Sequence, residues 1–332
     1  MEKVRTGIIG LGSIAQLVHL PILSKLENAE LAALCEINKN RLKTIGEKYP
    51  SAKKYQDYKE MIANENLDAV VIATPTSTHA DIALHCLKSN VNVLIEKPIA
   101  INYEEAKEIN NTAKKHKKIA MVGMNLRFRP DAMLMKSIIN SGELGDLFYI
   151  KCSWLRKKSS AQKWFLNKKQ SGGGVVIDLG IVLLDLALWM FNNDKIDSVS
   201  IQTFNHTLKD IEESAIGIIR FENGQIIAFE VSWELHSETD SFNMVIHGTK
   251  GTAHLNPLRV YKRIESTHID YTPSKTNISN LFRKSYENEL KHFIASVREN
   301  IHPISSSEES LIRMKLLETI YKSAKSGKEI KI

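Results

Sequence analysis

Three stretches of this 332-residue chain carry side chains whose type and spacing could do chemistry. The first is Gly10-Leu11-Gly12-Ser13-Ile14-Ala15, a G-x-G-x-x-A turn fed by the apolar residues Val4, Ile8 and Ile9. In such a turn the first glycine permits a sharp reversal. The second clears space for a pyrophosphate against the backbone, and the small third residue lets the next helix pack on the strand. The helix start then offers N–H groups and partial positive charge to that phosphate. Glycine turns of this kind also arise from packing alone, so the deciding residue is an acid about 20 positions on, able to accept from a ribose diol. Glu36, closing the run Glu30 to Glu36, stands in that place.

The second stretch is Glu96-Lys97-Pro98, directly after the apolar run Val91 to Ile95. A lysine at a strand end could donate to a substrate oxygen or exchange a proton with it, and it could equally be a solvated surface lysine. Pro98 would stiffen the backbone there, through a cis bond in one version of this reading. The third stretch runs from Val175 to Phe191, almost wholly apolar yet carrying Asp178 and Asp185. Buried carboxylates are costly unless paired or used. At a spacing of i, i+7 the two acids fall on one helix face, with Val182 between them. Asp178 could instead cap the helix, whereas Asp185 lies in its middle. A ligand-facing pair is the favoured expectation.

The elements needed to hold these residues follow from the pattern. Apolar runs at Leu67 to Ala73, Val91 to Ile95 and Ile119 to Gly123 alternate with helical stretches through residue 123. That alternation predicts a doubly wound parallel sheet covered on both faces. Thr74-Pro75-Thr76-Ser77-Thr78-His79 follows one strand at its carboxyl end, where ligands bind in open α/β sheets. Composition shifts at Met124 to Pro130, so the expected domains are residues 1–123 and 124–332, with the last helices able to pack back on the first domain. Ile196 to Phe204, Ser214 to Phe221, Gln225 to Trp233 and Phe242 to His247 alternate with period two. They read as an open, mostly antiparallel sheet with a hairpin at Asn223-Gly224 and another turn at Gly248 to Gly251. Such a sheet has an apolar face to cover, which leads to the expectation of a homodimer or homotetramer.

Composition is ordinary, at 43% hydrophobic and 25% charged residues, and the length suits two domains. No uninterrupted apolar run of membrane-spanning length occurs, so neither a membrane span nor a signal peptide is expected. Cys35, Cys86 and Cys152 are scattered and fit buried reduced thiols in a cytoplasmic protein. The net charge of +7 is spread along the chain. Its densest clusters, Lys114 to Lys118 and Arg156 to Lys158, lack interleaved aromatics and any nucleic-acid motif, so no nucleic-acid partner is expected. No metal site is expected either.

Taken in order, GIIGLGSIA, ATPTSTHADIALHCL, EKPIA, VGMNLRFRP, SGGGVVIDLG and the closing helices resemble the glucose–fructose oxidoreductase, inositol dehydrogenase and rhizopine-catabolism (Gfo/Idh/MocA) family over essentially the whole chain. The resemblance implies a Rossmann domain followed by an α+β domain, and hydride transfer between a nicotinamide cofactor and a sugar, cyclitol or polyol. It implies that Gly10, Gly12, Ser13, Ile14 and Glu36 hold the adenosine and pyrophosphate portion, with Thr74, Pro75, His79 and Glu96 near the nicotinamide. Lys97 would be the catalytic lysine. Asn125 would approach nicotinamide or substrate, Arg127 would support the cleft, and Asp178 and Asp185 would bind substrate hydroxyls and position the catalytic group. Glu36 favours NAD over NADP by repelling a 2′-phosphate, while Lys39 and Arg41 keep NADP open.

One position departs from the family pattern. Many members carry a histidine or tyrosine as general acid/base four residues after the first acid, where this chain has Val182. Such a group commonly contributes about 10²–10⁴-fold. Lys97 then carries proton transfer alone, or a residue of the 156–170 segment such as Lys163 substitutes. Otherwise the chain is a cofactor-binding regulator without turnover, or a glycoside-processing enzyme with recycled NAD.

Overall fold

The computed structural model describes residues 3–157, 166–192, 195–234, 236–265, 267–273 and 279–332. The chain divides into two compact units, Met1–Met124 with Tyr286–Ile312, and Asn125–Ser285 with Arg313–Ile332.

In the first unit, strands β1 (Val4–Ile9), β2 (Ala29–Cys35), β3 (Lys53–Tyr55), β4 (Ala69–Ile72), β5 (Asn92–Glu96) and β6 (Ala120–Gly123) form one parallel sheet. The order is β3-β2-β1-β4-β5-β6, so the winding direction reverses between β1 and β4. Such a reversal opens a crevice at the strands' carboxyl ends. All four residues of β4 are buried, as a strand covered on both faces must be. The connecting helices are α1 (Leu20–Leu23, prolonging a π turn at Ala15–His19), α2 (Lys39–Gly46), α3 (Tyr58–Asn64), α4 (His79–Lys88) and α5 (Tyr103–His116). Asn38, Asp57 and Asn102 cap α2, α3 and α5 by accepting from backbone N–H groups. Residues 286–312 complete this unit. Val122 N–H donates to the Ser305 carbonyl at 2.8 Å, and the Ser305 hydroxyl donates back to the Val122 carbonyl at 2.7 Å.

The second unit is built on β7 (Leu147–Leu155), β8 (Ile196–Phe204), β9 (Ser214–Phe221), β10 (Ile226–Ser232), β11 (Ser241–Gly248), β12 (Gly251–Leu255), β13 (Arg259–Ile264), β14 (Thr267–Asp270) and β15 (Ile330–Lys331). They form one sheet in the order β14-β13-β12-β11-β7-β10-β9-β8-β15. Every pair is antiparallel except β7 with β10. The expected turns occur: Gly224, at φ +85°, closes the β9–β10 hairpin, and Gly248 to Gly251 joins β11 to β12. The helices are α6 (Pro130–Asn140), α7 (Lys168–Ser171) and α8 (Ile181–Met190), followed by α9 (Leu281–Glu299) and α10 (Ser307–Ser326), each of which begins in one unit and ends in the other.

The segment Lys168–Met190 is long and apolar enough to cross a membrane by composition, but 94% of its most apolar window is buried in the fold. It is a core helix. It enters α8 through a π turn, Val176–Gly180, in which Ile181 N–H bonds to the Val176 carbonyl five residues back. A π turn inserts one residue into the helical ladder, and each residue of an α-helix turns the face by about 100°. Asp178 lies inside that turn and Asp185 beyond it. The i, i+7 spacing therefore no longer fixes the two acids on one face, since the inserted residue shifts the helix phase by up to about 100°.

Candidate active site

The glycine turn joins β1 to the helical segment that follows. Gly10 sits at φ +89°, and a Cβ there would lie 2.6 Å from the Ala73 carbonyl oxygen, so only glycine lets β1 and the end of β4 meet this closely. A Cβ on Gly12 would meet nothing within 4 Å, so the turn leaves open space over its backbone. That is the cradle a diphosphate needs. Ala15 is fully buried beneath it, while Ser13 is exposed and Ile14 partly so. Glu36, one residue past β2, turns back to the same turn and accepts from Leu11 N–H at 3.0 Å and from Asn38 N–H at 2.9 Å. Arg41 Nη1 lies 3.2 Å from its Oε2. These residues fit the adenosine half of a dinucleotide.

The ends of the neighbouring strands β4 and β5 supply the next group. Thr78 Oγ1 donates within the loop, lying 2.8 Å from both Thr74 Oγ1 and the Pro75 carbonyl. His79 is buried with Nδ1 at 2.9 Å from the Pro98 carbonyl and Nε2 at 2.9 Å from the Thr74 carbonyl. Burial pushes its imidazole to titrate below the ordinary range. A neutral ring carries one N–H, so one of these two contacts is a donated hydrogen bond and the other a close approach without a proton. The histidine thereby pins the Thr74 loop to the backbone beyond Lys97. The Lys97–Pro98 bond is cis. Lys97 is half-buried at the carboxyl end of β5, and Glu96 beside it is buried.

In the second unit the polar residues of the apolar helix face separate partners. Asp178 is 5% exposed and accepts from Trp233 Nε1–H at 3.2 Å. It does not cap the helix, since its own N–H already bonds to the Gly174 carbonyl. Asp185, 1% exposed, is clasped by Arg127 through Nε to Oδ2 at 2.8 Å and Nη2 to Oδ1 at 2.6 Å, and by Arg313 Nε to Oδ1 at 2.8 Å. Burial pushes its carboxyl up, but the two guanidinium groups outweigh that and hold it below the usual carboxylate range. The two acids thus have separate partners, Asp178 an indole and Asp185 two guanidinium groups. Asn125 donates from Nδ2 to Ser285 Oγ at 3.1 Å. Val182 is buried. Lys163 lies outside the described residues.

A family model described as an oxidoreductase family with an NAD-binding Rossmann fold matches residues 4–124, and the model of its C-terminal α/β domain matches residues 136–332. The chain belongs to the Gfo/Idh/MocA oxidoreductase family. It is similar to a D-glucoside 3-dehydrogenase of Escherichia coli, at 27% identity over all of this chain and 98% of that protein. It is also similar to a myo-inositol 2-dehydrogenase of Thermotoga maritima, at 25% identity over 99% of this chain and 98% of that one. A solved levoglucosan dehydrogenase in complex with NADH and levoglucosan shares the fold at TM-score 0.90, with 18% identity over the full length of both chains. The chain is thus an NAD-dependent Gfo/Idh/MocA oxidoreductase.

Several site features of this family member escape a reading of the sequence. Ile37, 82% exposed beside Glu36, offers an apolar surface next to that carboxylate. Its signal was an apolar residue placed just where a strand ends. Glu212 is buried at the start of the apolar helix, accepting from Gly174 N–H, Val176 N–H and the Tyr321 hydroxyl. A carboxylate there complements the helix dipole, and burial, the largest influence on it, pushes its carboxyl up. Arg313 and Trp233 come from elements far along the chain, where nothing nearby marks them as partners of Asp185 and Asp178.

Proposed function

We propose that the protein oxidises, reversibly, a secondary hydroxyl on a polyhydroxylated six-membered ring, a hexopyranoside or cyclitol, with Lys97 exchanging the hydroxyl proton. The observation that carries this reading is the alignment of strand ends in the first unit. Gly10 follows β1, Thr74 lies just past β4, and Lys97 follows β5, with the three strands adjacent in the sheet. Neighbouring strands lie about 4.8 Å apart, which puts Lys97 roughly 10 Å along the sheet edge from the phosphate cradle. Bound NAD supplies the hydride acceptor. Gly10, Gly12, Ser13, Ile14 and Glu36 hold its adenosine diphosphate part, and Thr74, Pro75, His79 and Glu96 shape the edge that its nicotinamide reaches.

Asp178, oriented by the Trp233 indole, and Asn125 bind substrate hydroxyls. Arg127 and Asp185 keep the second unit's core in register and support them. With Val182 unable to move a proton, Lys97 Nζ takes the hydroxyl proton as the carbinol hydrogen leaves as hydride. The glucoside and inositol activities in the relatives' names support a ring substrate. Phe204, Ile216 and Ile218 are exposed large apolar residues on neighbouring β8 and β9, and they support assembly with a second copy of this chain through the nine-stranded sheet. The three buried free thiols suit the cytoplasm.

The test is NADH formation at 340 nm with NAD and a panel of methyl glucosides, glucose and inositols, alongside Lys97→Met. Turnover with a ring polyol, lost in Lys97→Met while NADH still binds, is the expected result. NADH binding without turnover on any panel member overturns the substrate reading.

A further inference from the structure

We infer that His19 is a positioning residue that acts on Lys97 through Glu96. The inference rests on the reading of Lys97 as the proton-exchanging group, and all of its residues lie in the first unit. His19 closes the π turn after the glycine cradle and is fully buried. Its Nε2–H donates to Glu96 Oε1 at 2.7 Å. The other oxygen, Oε2, accepts from Lys97 N–H at 3.3 Å. Opposite stands Gly123, the register partner of Glu96, where a Cβ would lie 3.3 Å from Oε2. The carboxylate is therefore fixed from both ends, by a ring on one side and the catalytic lysine's own backbone on the other. Tyr286 meets the His19 ring edge-on at 6.0 Å between centroids.

Packing alone does not account for this arrangement. Among the described residues His19 Nδ1 is buried with no hydrogen-bond partner, and the carboxylate beside it is buried as well. A leucine in the same volume would remove the cost of the first, and an apolar residue at 96 that of the second. The pair makes sense as an anchor. His79 fixes the Pro98 carbonyl on the far side of Lys97, so the lysine's backbone is held at both neighbours. The charged or titratable groups facing Glu96 are His19, Lys97 and His79. Burial pushes its carboxyl up, yet those three together hold it below the usual range, so it stays an anion at neutral pH.

The test compares His19→Leu, His19→Gln and Glu96→Gln for kcat, KM for NAD and NADH binding by fluorescence, on a sugar or inositol that the wild type turns over. Misplacing a reacting group by about 1 Å costs about 10²-fold, so His19→Leu is expected to lower kcat on that scale while NADH affinity holds. Glutamine can place its amide N–H where Nε2 donates, so His19→Gln is expected to restore most of kcat. Undiminished kcat in His19→Leu, with only a lower melting temperature, overturns the inference; so does failure of His19→Gln to rescue. Should His19→Leu not fold, Glu96→Gln decides alone, because full turnover there breaks the chain of contacts from ring to lysine. Lys97→Met is measured in parallel. Full turnover in that variant sinks the lysine reading, whereas low turnover there with normal His19→Leu sinks the His19 inference by itself.

Discussion

Arg127 grips both carboxylate oxygens of Asp185 across 58 positions of sequence, tying the turn after β6 to the middle of the apolar helix. With Arg313 on the same carboxylate, the core of the second unit holds two guanidinium groups around one anion. Removing one partner of a buried ion pair leaves the other uncompensated and costs about 3–5 kcal/mol. Asp185→Ala should therefore lower the stability of the whole chain by about that much, read as a shift in the urea midpoint with little change in slope. A midpoint within error of wild type would mean that the arginines find other acceptors.

The glycines separate binding from folding. Gly12→Ala adds a methyl where nothing lies within 4 Å, so the variant should melt like wild type but lose NADH binding, followed by fluorescence titration. Gly174→Ala would place a Cβ 2.0 Å from the Glu212 carbonyl oxygen, and this variant should instead lose stability. Normal NADH affinity in Gly12→Ala would remove the phosphate from that turn.

The reading of Glu36 as the ribose acceptor makes its ion pair with Arg41 a test of cofactor choice. Glu36→Ala should weaken NADH binding by about 10–100-fold, one or two steps of 1.4 kcal/mol for a lost charge-assisted contact. It also frees Arg41 from its 3.2 Å partner, so NADPH should gain relative to NADH. Parallel titrations with both reduced cofactors measure the ratio. An unchanged ratio would take Arg41 out of cofactor recognition.

Acid sensitivity has an identifiable source in Glu213. Burial raises its carboxyl, but the N–H groups of His206, Thr207 and Leu208 and the Thr207 hydroxyl overcompensate and bring it to about 2. The folded value lies below the unfolded one of about 4.3. Its contribution is then fully present above the unfolded value and is lost as pH falls toward about 2. In Glu213→Gln, urea midpoints measured between neutral pH and pH 3 should fall less steeply than in wild type. Parallel profiles would show that other carboxylates dominate.

The parallel sheet was legible because its signals are local. Strands buried on both faces read as unbroken apolar runs, and the glycine turn, Glu36 and Lys97 each stand at the end of one. Strands β3 and β15 were not legible, being short and polar, with Lys53, Lys54 and Lys331 in them. The buried acids were visible as anomalies, but their partners were not. Arg313 lies 128 positions beyond Asp185, and Trp233 lies 55 beyond Asp178. The π turn adds a second reason: it changes the helix phase between the two acids, and no residue type announces it. His19 hides for the same reason, reading as one more buried position on a short helix.

The pairing of Val122 with Ser305 has a bearing on synthesis. The edge strand of the nucleotide-binding sheet leaves the ribosome 183 residues before the segment that hydrogen-bonds to it. Until that segment emerges, Val122 has neither its carbonyl acceptor nor its hydroxyl donor, and the nascent sheet carries an unprotected edge of the kind that recruits foreign strands. The cofactor-binding unit is completed only once residues 286–312 have been made, so a ribosome stalled between the two segments displays an unfinished sheet.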